Sequence, residues 1–271
     1  MEHSLNVQEE ELLIDGGKGQ RGMDSPSLDE GQELGYFKVW LLISQLLGVI
    51  CIALVSAWCG QYLGGFAWQS QPALQFNYHP FFMVLGLIFC YGDALLVYRV
   101  FRNQRKRTLK LLHLGLHTLA FIFAIVALKA AFDSHNLAKV PIPNLYSVHS
   151  WLGITAVVLF AMQYLFGFVA FLFPGLTKIW RAKYLPVHVF FGLFIFVMCV
   201  AAALMGITEK LIFSLNSTYK ERPTPAVIGN LLGYCLIFFA LLVVYLVATP
   251  QFRRRLLPEE VQLQLEQHSP H

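Results

Sequence analysis

Nine histidines occur in this chain, and six of them stand at or near the ends of long apolar runs. His3, His268 and His271 lie in polar tails. His79, His113, His117, His135, His149 and His188 do not. Imidazole binds metals and carries protons near neutral pH, and an ionisable group at membrane depth is costly and usually functional. One such histidine is readily explained as a hydrogen-bonding partner for a neighbouring helix; several at matched depths need another reason. Covalent c-type haem attachment is excluded, because no CxxCH motif is present. Cys51, Cys59, Cys90, Cys199 and Cys235 all lie in apolar runs and form no CxxC pair, so neither structural disulfides nor a zinc site is expected.

The depth of each histidine depends on the elements that carry it. The 271 residues are 56% hydrophobic and 13% charged, whereas a soluble domain averages about 45–50% and 25%. The excess falls in runs long enough to cross a bilayer as helices. Six spans are expected, at 38–62, 80–101, 109–132, 148–173, 186–209 and 226–248. Short loops make them an antiparallel bundle, so the fold class is an all-α membrane protein. Arg99, Arg102, Arg105, Lys106, Arg107 and Lys110 cluster between the second and third spans. Lys178, Arg181 and Lys183 lie between the fourth and fifth, and Arg253, Arg254 and Arg255 follow the sixth. The positive-inside rule therefore puts both termini and these loops in the cytosol. The sequon "NST" at Asn216 falls on the opposite side, as a glycosylation acceptor must.

Residues 1–35 hold nine acids against Lys18 and Arg21. Such a segment buries too little surface to fold and is expected to be a disordered cytosolic tail. It has no basic start followed by an apolar core, so no signal peptide is expected. Within it "EEELLI", Glu9 to Ile14, fits an acidic dileucine sorting pattern. Residues 36–250 form the membrane domain and 251–271 a second cytosolic tail.

This topology sorts four histidines into two pairs. His79 opens the second span and His149 the fourth, both on the outer side. His113 lies near the inner start of the third span, and His188 opens the fifth on the same side. Two imidazoles from facing helices form an axial site for haem iron, and a bundle core is a natural place for one. Small and aromatic residues nearby, among them Phe81, Phe82, Gly86, Gly115, Gly153, Phe190, Phe191 and Gly192, suit a flat macrocycle and equally suit ordinary packing. His117, one turn from His113 on the same face, is an alternative inner ligand that spacing does not separate from it. Two such haems across about 30 Å of hydrocarbon make an electron path. Asp93 is the one clear mid-span acid, which weakens a proton- or metal-transporter reading. No GxGxxG follows a strand, so electrons must come from a small donor or another protein.

At these residues the chain resembles the cytochrome b561 family of six-helix, two-haem transmembrane ascorbate-dependent reductases. The resemblance runs from about Tyr36 to Thr249 through "GGFAW", "LQFNYHP", "ALLVYRVFRN", "KLLHLGLH", "NLYSVHSWLGI", "LPVHVFFG" and "ALMGITEKLIFSL". It is nearest to the animal secretory-granule, duodenal ferric reductase and lysosomal forms. It implies two non-covalent b-type haems, the outer held by His79 and His149 and the inner by His113 and His188, which decides against His117. It implies a cytosolic ascorbate site at Lys106, Lys110 and Arg181, with Arg99 near a haem propionate. A cationic pocket suits an anionic donor, although the same charges also serve topology. On the outer side His135 matches an acceptor-site histidine, for monodehydroascorbate or a chelated ferric ion. Asn77, Tyr146 and Ser147 are candidate propionate contacts or helix caps. The expected setting is a secretory-vesicle, endosomal or lysosomal, or plasma membrane. The sequence itself is silent on dimerisation, although the resemblance brings in a family whose members form homodimers; no nucleic-acid partner is expected. The rival readings are a six-helix transporter with structural histidines and a quinone-linked haem anchor subunit.

Overall fold

The computed structural model describes residues 28–254, and the acidic dileucine-like stretch and most of the C-terminal tail lie outside them. By compactness the chain divides into two units, Met1–Lys38 and Val39–His271. In the first, a helix begins at Leu28, inside the segment expected to lack structure. The second unit holds the functional residues.

Six helices are long and apolar enough to cross a membrane: α1 (Gly35–Tyr62), α2 (Pro72–Val100), α3 (Lys106–Asn136), α4 (Val148–Phe171), α5 (Lys178–Glu221) and α6 (Thr224–Ala248). All six expected spans are found, and no strand occurs among the described residues. The largest departure is α5, which continues well beyond both ends of the expected 186–209. Hydropathy marks the part of a helix that sits in hydrocarbon, whereas backbone hydrogen bonding carries the helix on into the interface at both ends. Pro186 lies inside α5 without ending it.

The core is two helical hairpins. α2 packs chiefly on α3 and α4 chiefly on α5, while the two hairpins touch each other much less. A slot is left between them. α6 closes the outside against α5 and α2. α1 is joined to α2 by a polar contact: Gln45 Nε2 donates to Asp93 Oδ1 at 2.8 Å. The mid-span acid is thus satisfied by a neutral amide, as a polar group in a membrane interior must be.

Residues Val84–Cys90 of α2 form π-helical turns. In an uninterrupted α-helix, His79 and Tyr91 would point about 120° apart, at roughly 100° per residue. A π-turn advances fewer degrees per residue, and such turns recur at functional sites. Here His79 and Tyr91 both face α3, where they meet Ala127 and His117. The start of α4 is set by a capping box: the Ser150 N–H donates to Ser147 Oγ at 3.3 Å and the Ser147 N–H to Ser150 Oγ at 3.1 Å. A cap of this kind contributes about 0.5–2 kcal/mol, and here it fixes the rotation of the helix that carries His149.

Candidate functional site: paired histidines between two hairpins

The slot holds four of the histidines in a reciprocal arrangement. His79 on α2 hydrogen-bonds through Nδ1 to Ala127 O on α3 at 3.2 Å, and His113 on α3 to Ala94 O on α2 at 2.8 Å. In the other hairpin His149 on α4 bonds through Nδ1 to Ala202 O on α5 at 2.8 Å. A carbonyl can only accept, so in these three rings Nδ1 carries the proton and Nε2 keeps its lone pair. His188 on α5 is held differently. Its backbone carbonyl accepts from Gln163 Nε2 at 2.6 Å, and its Nδ1 is buried without a partner among the described residues.

Across the slot, His79 faces His149 with ring centroids 6.2 Å apart, and His113 faces His188 at 6.3 Å. A metal held between two Nε2 atoms needs about 2 Å on each side, the usual metal–imidazole bond. The ring centroid lies about 1.1 Å behind each nitrogen, which brings the expected centroid separation to about 6.2 Å. Both pairs meet that spacing. Glycines seat the rings of the α4–α5 hairpin. A Cβ at Gly206 on α5 would lie 2.6 Å from Cε1 of His149, and one at Gly167 on α4 would lie 2.9 Å from Cε1 of His188.

The outer pair opens into a cavity of about 520 Å³, lined among others by Phe76, His135, Tyr146, Gly153 and Lys210. That size lies within the usual range of small-molecule sites. Nothing lies within 4 Å of a Cβ built on Gly153, which lines the cavity, or on Gly115, which is exposed, so of these two Gly153 leaves space at the site. Gly86 and Gly192 do not. Gly86 admits Phe123 on α3, whose Cβ is 2.8 Å from the built position, and Gly192 meets Gln163 Nε2 at 3.4 Å. Phe190 and Phe191 are exposed side chains. Spacing between the pairs is filled by Tyr91, Phe160 and Phe196, each at most 1% exposed. The hydroxyl of Tyr91 donates to Gly192 O at 2.8 Å.

His117 packs in this aromatic layer, with its ring 4.4 Å from His113, 4.8 Å from Tyr91 and 5.6 Å from Phe160. At the basic end Lys110 donates to Phe171 O at 2.8 Å, with Lys106 and Arg181 as its electrostatic neighbours. The Phe171 ring in turn lies 5.1 Å from His188. Three cations from α3 and α5 are thus gathered beside the inner pair.

Other sequence candidates are placed differently. Arg99 donates to Val247 O near the end of α6, and its Nη1 is buried without a partner among the described residues. Asn77 is fully buried, and its Nδ2 donates to Leu63 O and Gly65 O, which fastens the α1–α2 loop. Ser147 is the helix cap described above, and with Tyr146 it also borders the outer cavity. His135 lies at that cavity with Nδ1 3.0 Å from Asn144 Oδ1. Asn216 is exposed and opens the 3-10 turn Asn216–Glu221 that ends α5. Gly167, Gly206, Gln163 and the carbonyls of Ala94, Ala127 and Ala202 escape sequence reading. The glycines alone leave a trace, as isolated small residues in apolar helices.

Fold and site together define a class: an all-helical, multi-pass membrane protein whose central four helices hold two facing imidazole pairs at metal-binding distance. The model of the eukaryotic cytochrome b561 family matches residues 78–214, which runs from α2 into α5 and includes all four histidines. The chain is 47% identical over 232 residues to the transmembrane ascorbate-dependent reductase CYB561 of Sus scrofa, covering 86% of this chain and 90% of that one. It is 40% identical to the putative transmembrane ascorbate-dependent reductase CYB561 homolog of Caenorhabditis elegans, covering 86% and 91%. It is 43% identical to the plasma membrane ascorbate-dependent reductase CYBRD1 of Xenopus tropicalis, covering 80% and 77%. The chain belongs to the eukaryotic cytochrome b561 family, and membership implies a b-type haem. The imidazole spacing, the free Nε2 atoms and the lined cavity fit that group.

The glycine seat makes a sharp expectation. Gly206→Val should push the His149 ring out of line and lower the haem-to-protein absorbance ratio. An unchanged ratio would mean that His149 does not need this seat.

Proposed function

We propose that the protein moves electrons across its membrane from cytosolic ascorbate to a non-cytosolic acceptor, using two b-type haems. The outer haem is held by His79 and His149, the inner by His113 and His188. The observation that carries this reading is the repetition of one imidazole geometry at both ends of a single slot. Haem b supplies one-electron storage at each position, and two histidine ligands leave the iron no vacant place for a substrate.

The chain does the rest. Backbone carbonyls of the neighbouring helix hold three of the rings in one tautomer and aim Nε2 into the slot, as supporting hydrogen bonds do at metal sites. Lys106, Lys110 and Arg181 attract anionic ascorbate to the inner face. Ascorbate gives up one electron and one proton there and leaves as monodehydroascorbate. On the other face the acceptor, monodehydroascorbate or a chelated ferric ion, docks near His135; monodehydroascorbate takes up a proton with its electron. The layer of Tyr91, Phe160 and Phe196, each at most 1% exposed, separates the two ends. Residues 36–250 form the working domain, with both tails in the cytosol. The membrane is that of secretory vesicles, endosomes or lysosomes, or the cell surface.

The test is the visible spectrum of the purified protein during ascorbate addition. Haem bands reduced by ascorbate alone are expected. Absence of haem bands would favour a transporter, and reduction only by quinol would favour a quinone-linked anchor. The Lys110→Met, Arg181→Met double variant should keep both haems and raise half-saturating ascorbate by about tenfold or more, the loss of about 1.4 kcal/mol of binding. An unchanged half-saturation would remove these residues from the donor site.

A further inference from the structure

One charged group in the outer cavity has no role in the reaction described above. Lys210 lies near the outer end of α5, and among the described residues it is the only lysine or arginine lining the cavity that holds His79 and His149. A lysine close to a helix end ordinarily extends its ammonium toward water. This side chain is half-buried, and its Nζ lies 4.6 Å from the centroid of the Phe76 ring. The Phe76 ring is itself 5.6 Å from the His79 ring. The ammonium is therefore held one aromatic ring away from an outer imidazole.

Among the described residues no side chain pairs with this charge. Among the described residues the ion pair found is Lys129 with Asp133, at 2.8 Å; none involves Lys210. Glu209 also borders the cavity. Successive residues of a helix do not face each other, and the two side chains form no ion pair. Phe76 offers a cation–π contact, which is worth less than a full counter-charge. A half-buried ammonium at the edge of an apolar cavity calls for an anion. His135 and Asn144, which also line the cavity, add hydrogen-bonding groups suited to an oxygen-rich ligand.

We propose that Lys210 is an anion-binding residue of the outer cavity and pairs with a carboxylate or enolate there: a propionate of the outer haem or the anionic electron acceptor. This rests on the haem reading of the His79–His149 pair. The two sources separate by experiment, because a propionate is present at equilibrium without any acceptor, whereas an acceptor acts only when added. Removing a cation beside the haem disfavours the reduced state, which carries one more negative charge.

The experiment compares Lys210→Met and Lys210→Arg with the unaltered protein, and uses Lys220→Met, an exposed lysine outside the cavity lining, as a control for general surface charge. Redox titration followed by visible absorbance reads the equilibrium, and reduction of added monodehydroascorbate by vesicle-bound protein reads the acceptor. If the partner is a propionate, Lys210→Met lowers the reduction equilibrium constant of one haem at least threefold, about 28 mV for one electron, and leaves the other unmoved. If the partner is the acceptor, both potentials stay and its half-saturating concentration rises at least threefold. Loss of the outer haem in Lys210→Met with retention in Lys210→Arg also supports the pairing. Lys210→Met that matches the unaltered protein in both measurements overturns it, and so does an equal effect of Lys220→Met. Failure of the haem reading itself would show earlier, as absence of haem bands in the unaltered protein.

Discussion

His149→Ala is expected to release one of the two proposed haems, so that absorbance in the haem bands falls to about half while the remainder is still reduced by ascorbate. Electron delivery to an acceptor inside ascorbate-free vesicles should fall at least a hundredfold. The selectivity follows from the geometry. The His149 ring is fixed by Ala202 O and seated on Gly206, both on α5, and it faces only His79 at the outer end. The inner pair, His113 and His188, stands on other turns of the helices, beyond the layer of Tyr91, Phe160 and Phe196. Alanine removes the imidazole and leaves the Ser147–Ser150 cap, so α4 should keep its start. His79→Ala should give the same spectrum from the opposite helix. A His149→Ala protein with its full haem complement, or one that loses both haems with its helices intact, would break the assignment of the outer pair.

The second large effect concerns His113 and His117. His113→Ala should remove the inner haem and abolish fast reduction by ascorbate, because the surviving haem lies at the far end of the slot. His117→Phe should keep two haems. The two rings differ in what holds them. His113 has its Nδ1 on Ala94 O at 2.8 Å and its ring centroid 6.3 Å from that of His188, so Nε2 is aimed across the slot. His117 is wedged against His113, Tyr91 and Phe160, and its buried Nδ1 has no carbonyl to set the tautomer among the described residues. A phenyl ring conserves that packing and removes only the nitrogens. Haem-to-protein ratios of the two variants decide the matter, and the reverse outcome would transfer the inner ligand to His117.

Much of the fold was legible because hydropathy is a local property. Any window of about 20 apolar residues reports a span wherever its neighbours lie, and six such windows give six helices. The depth of a histidine follows from its place in the span, so the pairs at two levels could be read from spacing and loop charge. Helix ends were less legible. α5 runs through "KIWRAKYLP", where basic and aromatic residues dilute the apolar signal without breaking the backbone.

Contact partners belong to the other kind of information. Asn77 and Ser147 stand beside histidines in sequence and are candidates for the site; their hydrogen bonds go to a loop and a helix start, while Ser147 also borders the outer cavity. Lys210 stands far from any histidine in sequence and lies at the outer cavity. Proximity along a chain and proximity across helices coincide only when rotation about the helix axis happens to align them.

From sequence alone came the six spans, two levels of paired imidazoles, the basic inner face and the family resemblance. Those features are periodic or local, and each residue reports on its own transfer to water or lipid. The tertiary structure decided which nitrogen of each ring is free, through carbonyls of Ala94, Ala127 and Ala202 on partner helices. It decided that Gly167 and Gly206 are seats for rings, and that the π-turns of Val84–Cys90 bring His79 and Tyr91 onto one side of α2. It also set an ammonium over Phe76. Each of these depends on the phase of one helix against another, which is set by packing among residues distant in sequence.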